Sequence, residues 1–218
     1  MMKNPLLISL AALWAFSATA SRADQFQATI NIDPAFYSLG GVTLPLQLDF
    51  QLNSGGSAPI SNTVTLSDFS FVTDNAQAVS FGVANPSGNV SGDLTGSVSL
   101  TDDSNNNFNE FFQSLSSNVT QISFDINATD NVNPAANDTF AVALLDSSSG
   151  FPQIPATDPL GVSLITLDLS DQINANAYAS VSPLPGVTAA VAAVPIPASV
   201  WLFASAVAAG ASRLRRAS

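Results

Sequence analysis

The chain of 218 residues contains no cysteine, no histidine and only five basic residues. The basic residues, Lys3, Arg22, Arg213, Arg215 and Arg216, all lie near the two ends of the chain. The lack of cysteine excludes disulfide bonds, and the lack of both cysteine and histidine excludes ordinary zinc sites and the usual catalytic triads. Between the two ends, carboxylates are therefore the only charged side chains.

Charge of one sign dominates the region between the terminal segments. All 16 acidic residues lie between Asp24 and Asp171, where no basic residue occurs, so this region has a formal charge of −16. A surface without cations cannot neutralise phosphates, which excludes nucleic-acid binding and phosphoryl-transfer sites built on lysine or arginine. Tryptophan is also absent from this region, which leaves Tyr37 and Tyr178 as its only aromatic side chains with a polar group.

The N-terminal segment, residues 1–23, has the pattern of a secretory signal peptide. A single lysine precedes an apolar run, and small residues follow that run. Ser21 and Ala23 occupy the two positions that a signal peptidase reads, which predicts cleavage before Asp24. Cleavage after Ala20 and retention of the segment as an uncleaved anchor are the alternatives.

The C-terminal segment, residues 194–218, combines a proline-containing motif, a charge-free apolar run and three arginines, in that order. A helix over about residues 197–214 would rise about 27 Å, close to the roughly 30 Å of a bilayer's hydrocarbon core. This predicts a single transmembrane helix, with the arginines on the cytoplasmic side; an alanine-rich core helix is the alternative. The residues that carry the motif and the anchor are Val194, Pro195, Ile196, Pro197, Trp201, Arg213, Arg215 and Arg216.

The region between the terminal segments is predicted to be an antiparallel β-sandwich over residues 24–181. Apolar and polar residues alternate over 26–32 and 44–52, which is typical of half-buried strands. The alternation changes phase near Ser67 and Asp68, which predicts a β-bulge. Further strands are expected over 64–71, 78–83, 90–100, 119–126, 140–145, 162–169 and 175–181, separated by turn-forming residues. This succession of short strands favours a sandwich.

Two segments of this region have other predicted structures. The apolar residues of Phe108–Leu115 recur at i, i+3, i+4 and i+7, which predicts a short helix that caps one end of the sandwich. Residues 182–193 are rich in proline and alanine and carry no charge, so we expect a linker to the C-terminal segment.

One polar cluster has a weak resemblance to a calcium loop. Asp103, Asn105 and Asn107 stand two residues apart, as the first oxygen ligands of such a loop would. The loop glycine and the closing glutamate are missing, so a solvated loop is the alternative. A second group with weaker spacing consists of Asp125, Asp130, Asn131 and Asp138. No other cofactor is indicated by the sequence.

The C-terminal segment resembles the PEP-CTERM sorting signal of Gram-negative bacteria, in the variant with Val-Pro-x-Pro-Ala followed by Val-Trp-Leu-Phe. Ile196 stands at the position of the glutamate that gives the signal its name. The resemblance implies export across the inner membrane and transient anchoring there by the C-terminal helix. It further implies that an exosortase, a membrane protease-transpeptidase, cuts near the motif and releases the protein towards the cell surface.

Two stretches of the central region are similar to a group of PEP-CTERM proteins of unknown function. They are Leu48-Asp-Phe-Gln51 and Phe108-Asn-Glu-Phe-Phe-Gln113. This similarity implies a shared β-rich fold and transfers no catalytic residue. The wider family is associated with exopolysaccharide and with the matrix of biofilms or flocs.

These observations lead to a functional hypothesis of a non-enzymatic protein of the cell surface or extracellular matrix. Its expected partners are signal peptidase and exosortase during export, the membrane through the C-terminal helix, and extracellular polysaccharide. The alternatives are a carbohydrate-binding module that uses Tyr37 and Tyr178, and a calcium-dependent adhesive module. A further alternative is a carboxylate-pair glycoside hydrolase in which Glu110 is the acid and an aspartate is the nucleophile or base.

Overall fold

The computed structural model describes residues 22–38, 44–55, 62–74, 77–103, 105–116, 119–130, 138–147, 154–169, 173–181 and 186–194. In this part of the chain there are twelve β-strands and one short 3₁₀ helix, Pro34–Ser38. The strands are β1 (Arg22–Ile32), β2 (Gln47–Asn53), β3 (Thr63–Thr73), β4 (Asn85–Ser87), β5 (Val90–Gly92), β6 (Val98–Thr101), β7 (Phe108–Ser114), β8 (Val119–Asp130), β9 (Thr139–Leu145), β10 (Ile165–Asp168), β11 (Asn174–Ala177) and β12 (Val187–Ala193).

The strands form two six-stranded antiparallel sheets that pack as a sandwich, so the predicted fold class is confirmed. Sheet A has the order β12-β1-β8-β3-β6-β5, and sheet B has the order β11-β10-β9-β2-β7-β4. The edge strands of the two sheets meet on both sides, β4 with β5 and β11 with β12. On the second side, the backbone N–H of Ser180 donates to the carbonyl of Val187. The sandwich is thus closed laterally by contacts between edges.

The centre of the core is a cluster of phenylalanine rings contributed by both sheets. Phe50 on β2 is fully buried, and its ring centroid lies 6.1 Å from Phe69, 6.1 Å from Phe111, 5.5 Å from Phe124 and 6.2 Å from Phe140. Phe69 and Phe124 belong to sheet A, whereas the other three belong to sheet B. Because stacked and edge-to-face rings add specific attraction to the burial of apolar area, this cluster joins the two sheets.

The predicted bulge in the third strand is confirmed. The register between β3 and β8 shifts between Ser67 and Ser70, and Asp68 adopts a φ of 54°. Aspartate is among the few non-glycine residues that tolerate this left-handed conformation. The bulge allows Leu66 before it and Phe69 after it to pack on the same core, although their positions in the chain differ by an odd number.

The helix predicted over Phe108–Leu115 is wrong, because these residues form strand β7 and the position that follows it. Along this strand Asn109, Phe111 and Gln113 are buried and face the core, while the residues between them face outward. Two of the three inward positions are amides. Because these amides take inward positions, the apolar residues of the segment are spaced as in a helix, although buried and outward positions alternate as in a strand.

These two inward amides have backbone partners within residues 82–94, the stretch that contains the edge strands β4 and β5. Asn109 Oδ1 accepts a hydrogen bond from Asn89 N at 2.6 Å. Gln113 Oε1 accepts one from Leu94 N at 3.0 Å, and Gln113 Nε2 donates to the carbonyl of Gly82 at 2.8 Å. Because buried polar groups are stable only when they are hydrogen bonded, the amides complete the core where β4 and β5 meet.

The linker expected over residues 182–193 is wrong for its second half, which forms edge strand β12 on β1. Val187 is fully buried, and Ala189 and Val191 pack against the core from the same face. Inward valine and alanine residues alternate with exposed residues here, which is typical of a strand. The high alanine content of the segment had instead suggested a linker.

Two other strand predictions also differ from the structure. Residues 78–83 form no strand and contribute only an isolated bridge between Phe81 and Leu115. Residues 90–100 form the two strands β5 and β6, which pair antiparallel across a turn. The turn, Asp93-Leu-Thr-Gly96, lies inside the segment that was predicted to be one strand.

The turn between β5 and β6 requires glycine at position 92. Gly92 has a φ of 97°, and a Cβ added there would lie 1.8 Å from the carbonyl oxygen of Ser97. We expect Gly92→Ala to lower the free energy of unfolding by about 2–4 kcal/mol, measured by urea denaturation. Gly96→Ala in the same turn is the matched control, because among the described residues no atom lies within 4 Å of its added Cβ. An equal loss of stability in both variants would contradict this account.

Candidate functional site

The two chain ends of the sandwich lie side by side. β1 and β12 are antiparallel neighbours, with Phe26 opposite Ala193, and Val194 N donates to the carbonyl of Gln25 at 2.8 Å. Val194 is the first residue of the predicted sorting motif. The segment before β1 and the segment after β12 therefore leave the sandwich at the same end.

The predicted signal-peptide cleavage site falls at the start of β1. Ala23 and Asp24 belong to this strand and are opposite Thr129 and Ala128 of β8, whereas Ser21 lies outside the described residues. Cleavage before Asp24 would remove the first two residues of β1. The alternative cleavage after Ala20 would leave the whole strand in the mature chain.

Most of the predicted sorting signal lies outside the described residues. This applies to Pro195, Ile196, Pro197, Trp201, Arg213, Arg215 and Arg216, and to the transmembrane helix predicted over about 197–214. Within the ranges that the structure does describe, no helix has both the length and the apolar character needed to cross a bilayer.

The suggested calcium ligands belong to a local turn. Asp103 Oδ1 accepts hydrogen bonds from Asn105 N at 2.7 Å and from Asn106 N at 2.9 Å. Asn105 and Asn107 are exposed, and the carbonyl of Asn107 accepts from Ser54 N. The described part of the chain contains no group of three or more acidic residues arranged to hold a metal ion. Calcium binding by this loop stays a prediction.

A buried carboxyl pair connects the two sheets near the same end. Asp102 follows β6 in sheet A and is 2 % exposed, while Asp138 precedes β9 in sheet B and is 3 % exposed. The two side chains are hydrogen bonded to each other. Asn62 bridges them, because its backbone N–H donates to Asp102 Oδ1 and its Nδ2 donates to Asp138 Oδ2. Gly55 N also donates to Asp138 Oδ1, at 3.1 Å.

Burial raises the pKa of Asp102 from 3.8 to about 7. The hydrogen bond from Asn62 opposes this rise in pKa, whereas the negative charge of Asp138 and the hydrogen bond to it add to the rise. The pair thus holds a proton between the sheets in mildly acidic solution. Sequence reasoning missed this arrangement: Asp102 was not singled out, and Asp138 was grouped with Asp125 and Asp130 because of their spacing. No sequence signal distinguishes these two aspartates from exposed ones.

The outer face of sheet B carries a row of amides and carboxylates. Gln47, Asp49 and Gln51 alternate along β2 with Leu48, Phe50 and Leu52, which face the core. On the neighbouring strand β7, Glu110 lies opposite Gln51. Gln51 Nε2 donates to Asp49 Oδ2 at 2.7 Å and to Glu110 Oε1 at 3.2 Å, so these two carboxylate oxygens are at most about 6 Å apart.

Among the described residues, phenylalanines of β7 contribute aromatic side chains to this face. Phe108 is 46 % exposed, and Phe112, opposite Asp49, is half-buried. The tyrosines that the sequence suggested as a sugar platform are elsewhere and are both half-buried. Tyr37 donates from its hydroxyl to the carbonyl of Val119 at 2.6 Å, and burial, with the charge of Asp74, raises its pKa.

Comparisons of the chain with protein-family models, with curated proteins and with solved structures found no match. Three features of the molecule bear on its function. These are the adjacent chain ends, the buried carboxyl pair, and the polar row on the outer face of sheet B.

Proposed function

We propose that this protein is an exported, non-enzymatic component of the bacterial cell surface or extracellular matrix. The observation that carries the proposal is the antiparallel pairing of β1 with β12, which brings both terminal segments to one end of the sandwich. A signal peptide at one terminus and a membrane anchor at the other must reach the same membrane before processing. A fold that releases both segments at one end meets this requirement without a long linker.

The composition and the geometry both favour a role without catalysis. Residues 24–193 contain no histidine, cysteine, lysine or arginine, so carboxylates are the only strong acid or base groups of the sandwich. The pair Asp49 and Glu110 is close enough for a retaining glycosidase, in which the carboxyl groups lie about 5–5.5 Å apart. However, Asp49 is fully buried, so it does not face a substrate.

Processing by signal peptidase and an exosortase would convert the anchored precursor into a released domain. β12 ends at Ala193, directly before the motif of residues 194–197. A cut within or after this motif leaves all seven residues of β12 on β1, so release does not require the sandwich to open. Extracellular polysaccharide is the expected partner of the released protein.

The test is the intact mass of the protein recovered from the surface and the medium of its native host. We expect a species that begins at residue 21 or 24 and ends near Pro195. A variant with both Pro195 and Pro197 replaced by alanine is the control, and we expect it to stay in the membrane fraction with its C-terminal segment. Wild-type protein found only in the inner membrane, with Trp201 and the arginines still present, would refute the proposal.

A further inference from the structure

We propose that the second half of β3 is a docking edge for an extended, basic segment of another protein, which adds to sheet A as a further strand. Strand β6 pairs with β3 only over Thr63–Leu66, whereas β3 continues to Thr73. Beyond Leu66, β8 is the one strand of the described residues that pairs with β3. The docking edge is the opposite side of β3 over residues 69–73. This inference goes beyond the proposed function and does not depend on it.

The backbone along the docking edge is available for hydrogen bonds. Thr120 Oγ1, on β8, donates to the carbonyl oxygen of Val72 at 3.2 Å, so this carbonyl faces β8. Because successive residues of a strand direct their N–H and C=O groups to opposite sides, those of Phe71 face the docking edge. Within the described residues, no backbone hydrogen bond joins Phe71 to a segment outside β8. An unpaired edge of this kind is a template for a further strand.

The side chains beside the docking edge have apolar surface that a partner can bury. Phe69 and Phe71 are half-buried and pack against the core from the inner side of β3. The ring centroid of Phe71 lies 6.3 Å from that of Phe69 and 5.1 Å from that of Phe81, another half-buried ring. On the outer side of β3, Val72 is 49 % exposed. An added strand would place apolar side chains against these residues, and the burial of their surface favours binding.

The charges at the docking edge determine which partner fits. Asp68 and Asp74 are exposed and lie at its two ends, about 20 Å apart along the strand. Residues 24–193 contain no basic residue, so no cation of the sandwich compensates these carboxylates. A segment with apolar residues at alternate positions and a lysine or arginine at each end therefore complements the edge in both hydrophobicity and charge.

A second copy of this chain is a poor partner for the same edge. Antiparallel pairing of two docking edges centred on Phe71 would bring Asp68 of one copy opposite Asp74 of the other. Like charges directly opposite each other are destabilising in a sheet. Charged residues on exposed strand edges commonly protect proteins against self-association. At this edge they disfavour a copy of the chain and attract a basic segment.

The experiment measures the binding of two labelled synthetic peptides to the full chain, purified in neutral detergent, by fluorescence anisotropy at low ionic strength. The basic probe is Lys-Val-Thr-Val-Thr-Val-Lys, and the acidic probe has glutamate in place of both lysines. We expect the basic probe to bind at least about tenfold more tightly than the acidic probe. Exchange of the Phe71 amide hydrogen, measured by NMR, should become slower in the complex, because pairing with a strand protects this N–H group from solvent.

Two charge-removing variants test the ends of the docking edge. Asp68→Asn and Asp74→Asn should each weaken the binding of the basic probe about threefold at low ionic strength. Asparagine tolerates the left-handed conformation of residue 68, so this change removes the charge without straining the bulge. Asp103→Asn is the matched control, because it removes a partly exposed carboxylate that follows β6, where Thr101 is opposite Thr63 at the far end of β3.

Unchanged melting temperatures would show that the variants fold. Under that condition, equal binding of the two peptides, an equal effect of Asp103→Asn and Asp74→Asn, or unchanged exchange at Phe71 would each overturn this inference. A Phe71 amide that is already protected without peptide would also overturn it. Sedimentation velocity would then show whether the edge pairs with a second copy in a dimer or with another segment of the same chain in a monomer. None of these results affects the mass measurement that tests export and processing.

Discussion

Replacement of Phe50 by alanine is expected to lower the free energy of unfolding by about 3–5 kcal/mol. Phe50 is fully buried, and its ring contacts rings from both sheets, including Phe124 at a centroid distance of 5.5 Å. The substitution removes apolar contacts and leaves a cavity between layers that cannot close without moving a whole sheet. Urea denaturation monitored by circular dichroism measures the change.

Phe108→Ala is the control for this prediction, since Phe108 is 46 % exposed on the outer face of sheet B. We expect it to change the free energy of unfolding by less than about 1 kcal/mol. Comparable losses in the two variants would mean that the ring cluster around Phe50 is not the centre of the core.

The second large effect is a loss of stability as the pH rises from about 4 to about 7. In the folded protein the pKa of Asp102 is raised to about 7, whereas an unfolded aspartate has a pKa near 3.8. Between these values the folded state binds a proton that the unfolded state does not, so stability decreases as the pH rises. The contribution of the protonated pair is fully present below about pH 4 and is lost above about pH 7. Its size is at most about 4 kcal/mol.

Melting temperatures recorded at constant ionic strength from pH 4 to pH 8 test this expectation. Asp102→Asn should flatten the profile, because an asparagine can accept the hydrogen bond from Asn62 and donate one to Asp138 without titrating. Asp125→Asn, at a half-buried position of β8, is the control and should keep the wild-type slope. A wild-type melting temperature that rises over this range, or an equal slope in Asp102→Asn, would contradict the assignment.

The parts of the fold that could be predicted from the sequence are those in which polarity and burial agree. The strict alternation along β2 identified its inward side as Leu48, Phe50 and Leu52, and the structure confirms it. The change of phase near Ser67 identified the bulge, because a strand can keep both halves on one core only by adding a residue.

The failures occurred where polarity and burial disagree. Asn109 and Gln113 are polar residues that face the core, so β7 had the apolar spacing of a helix. The backbone N–H groups that donate hydrogen bonds to these buried amides belong to Asn89 and Leu94, about 20 positions earlier in the chain. The periodicity of a segment does not reveal hydrogen-bond partners that lie elsewhere in the chain.

The candidate sites were only partly visible for the same reason. The polar row of β2 follows directly from its alternation, but Glu110 could join it only once β7 was known to be a strand. At the carboxyl pair, Asn62 is hydrogen bonded to Asp102, which is 40 residues away in the chain. It is also hydrogen bonded to Asp138, which is 76 residues away. The spacing of residues along the chain does not predict which residues of two different sheets come into contact.

The pairing of β1 with β12 has a mechanical consequence. Since the backbone hydrogen bonds of an antiparallel pair run perpendicular to the strands, a force that pulls Gln25 and Val194 apart loads these bonds one after another. Such unzipping needs little force compared with shearing a whole strand at once. Tension applied between the two terminal segments would therefore peel β12 from the sandwich first. Tension applied between one terminal segment and the opposite end of the domain would instead load many hydrogen bonds at the same time.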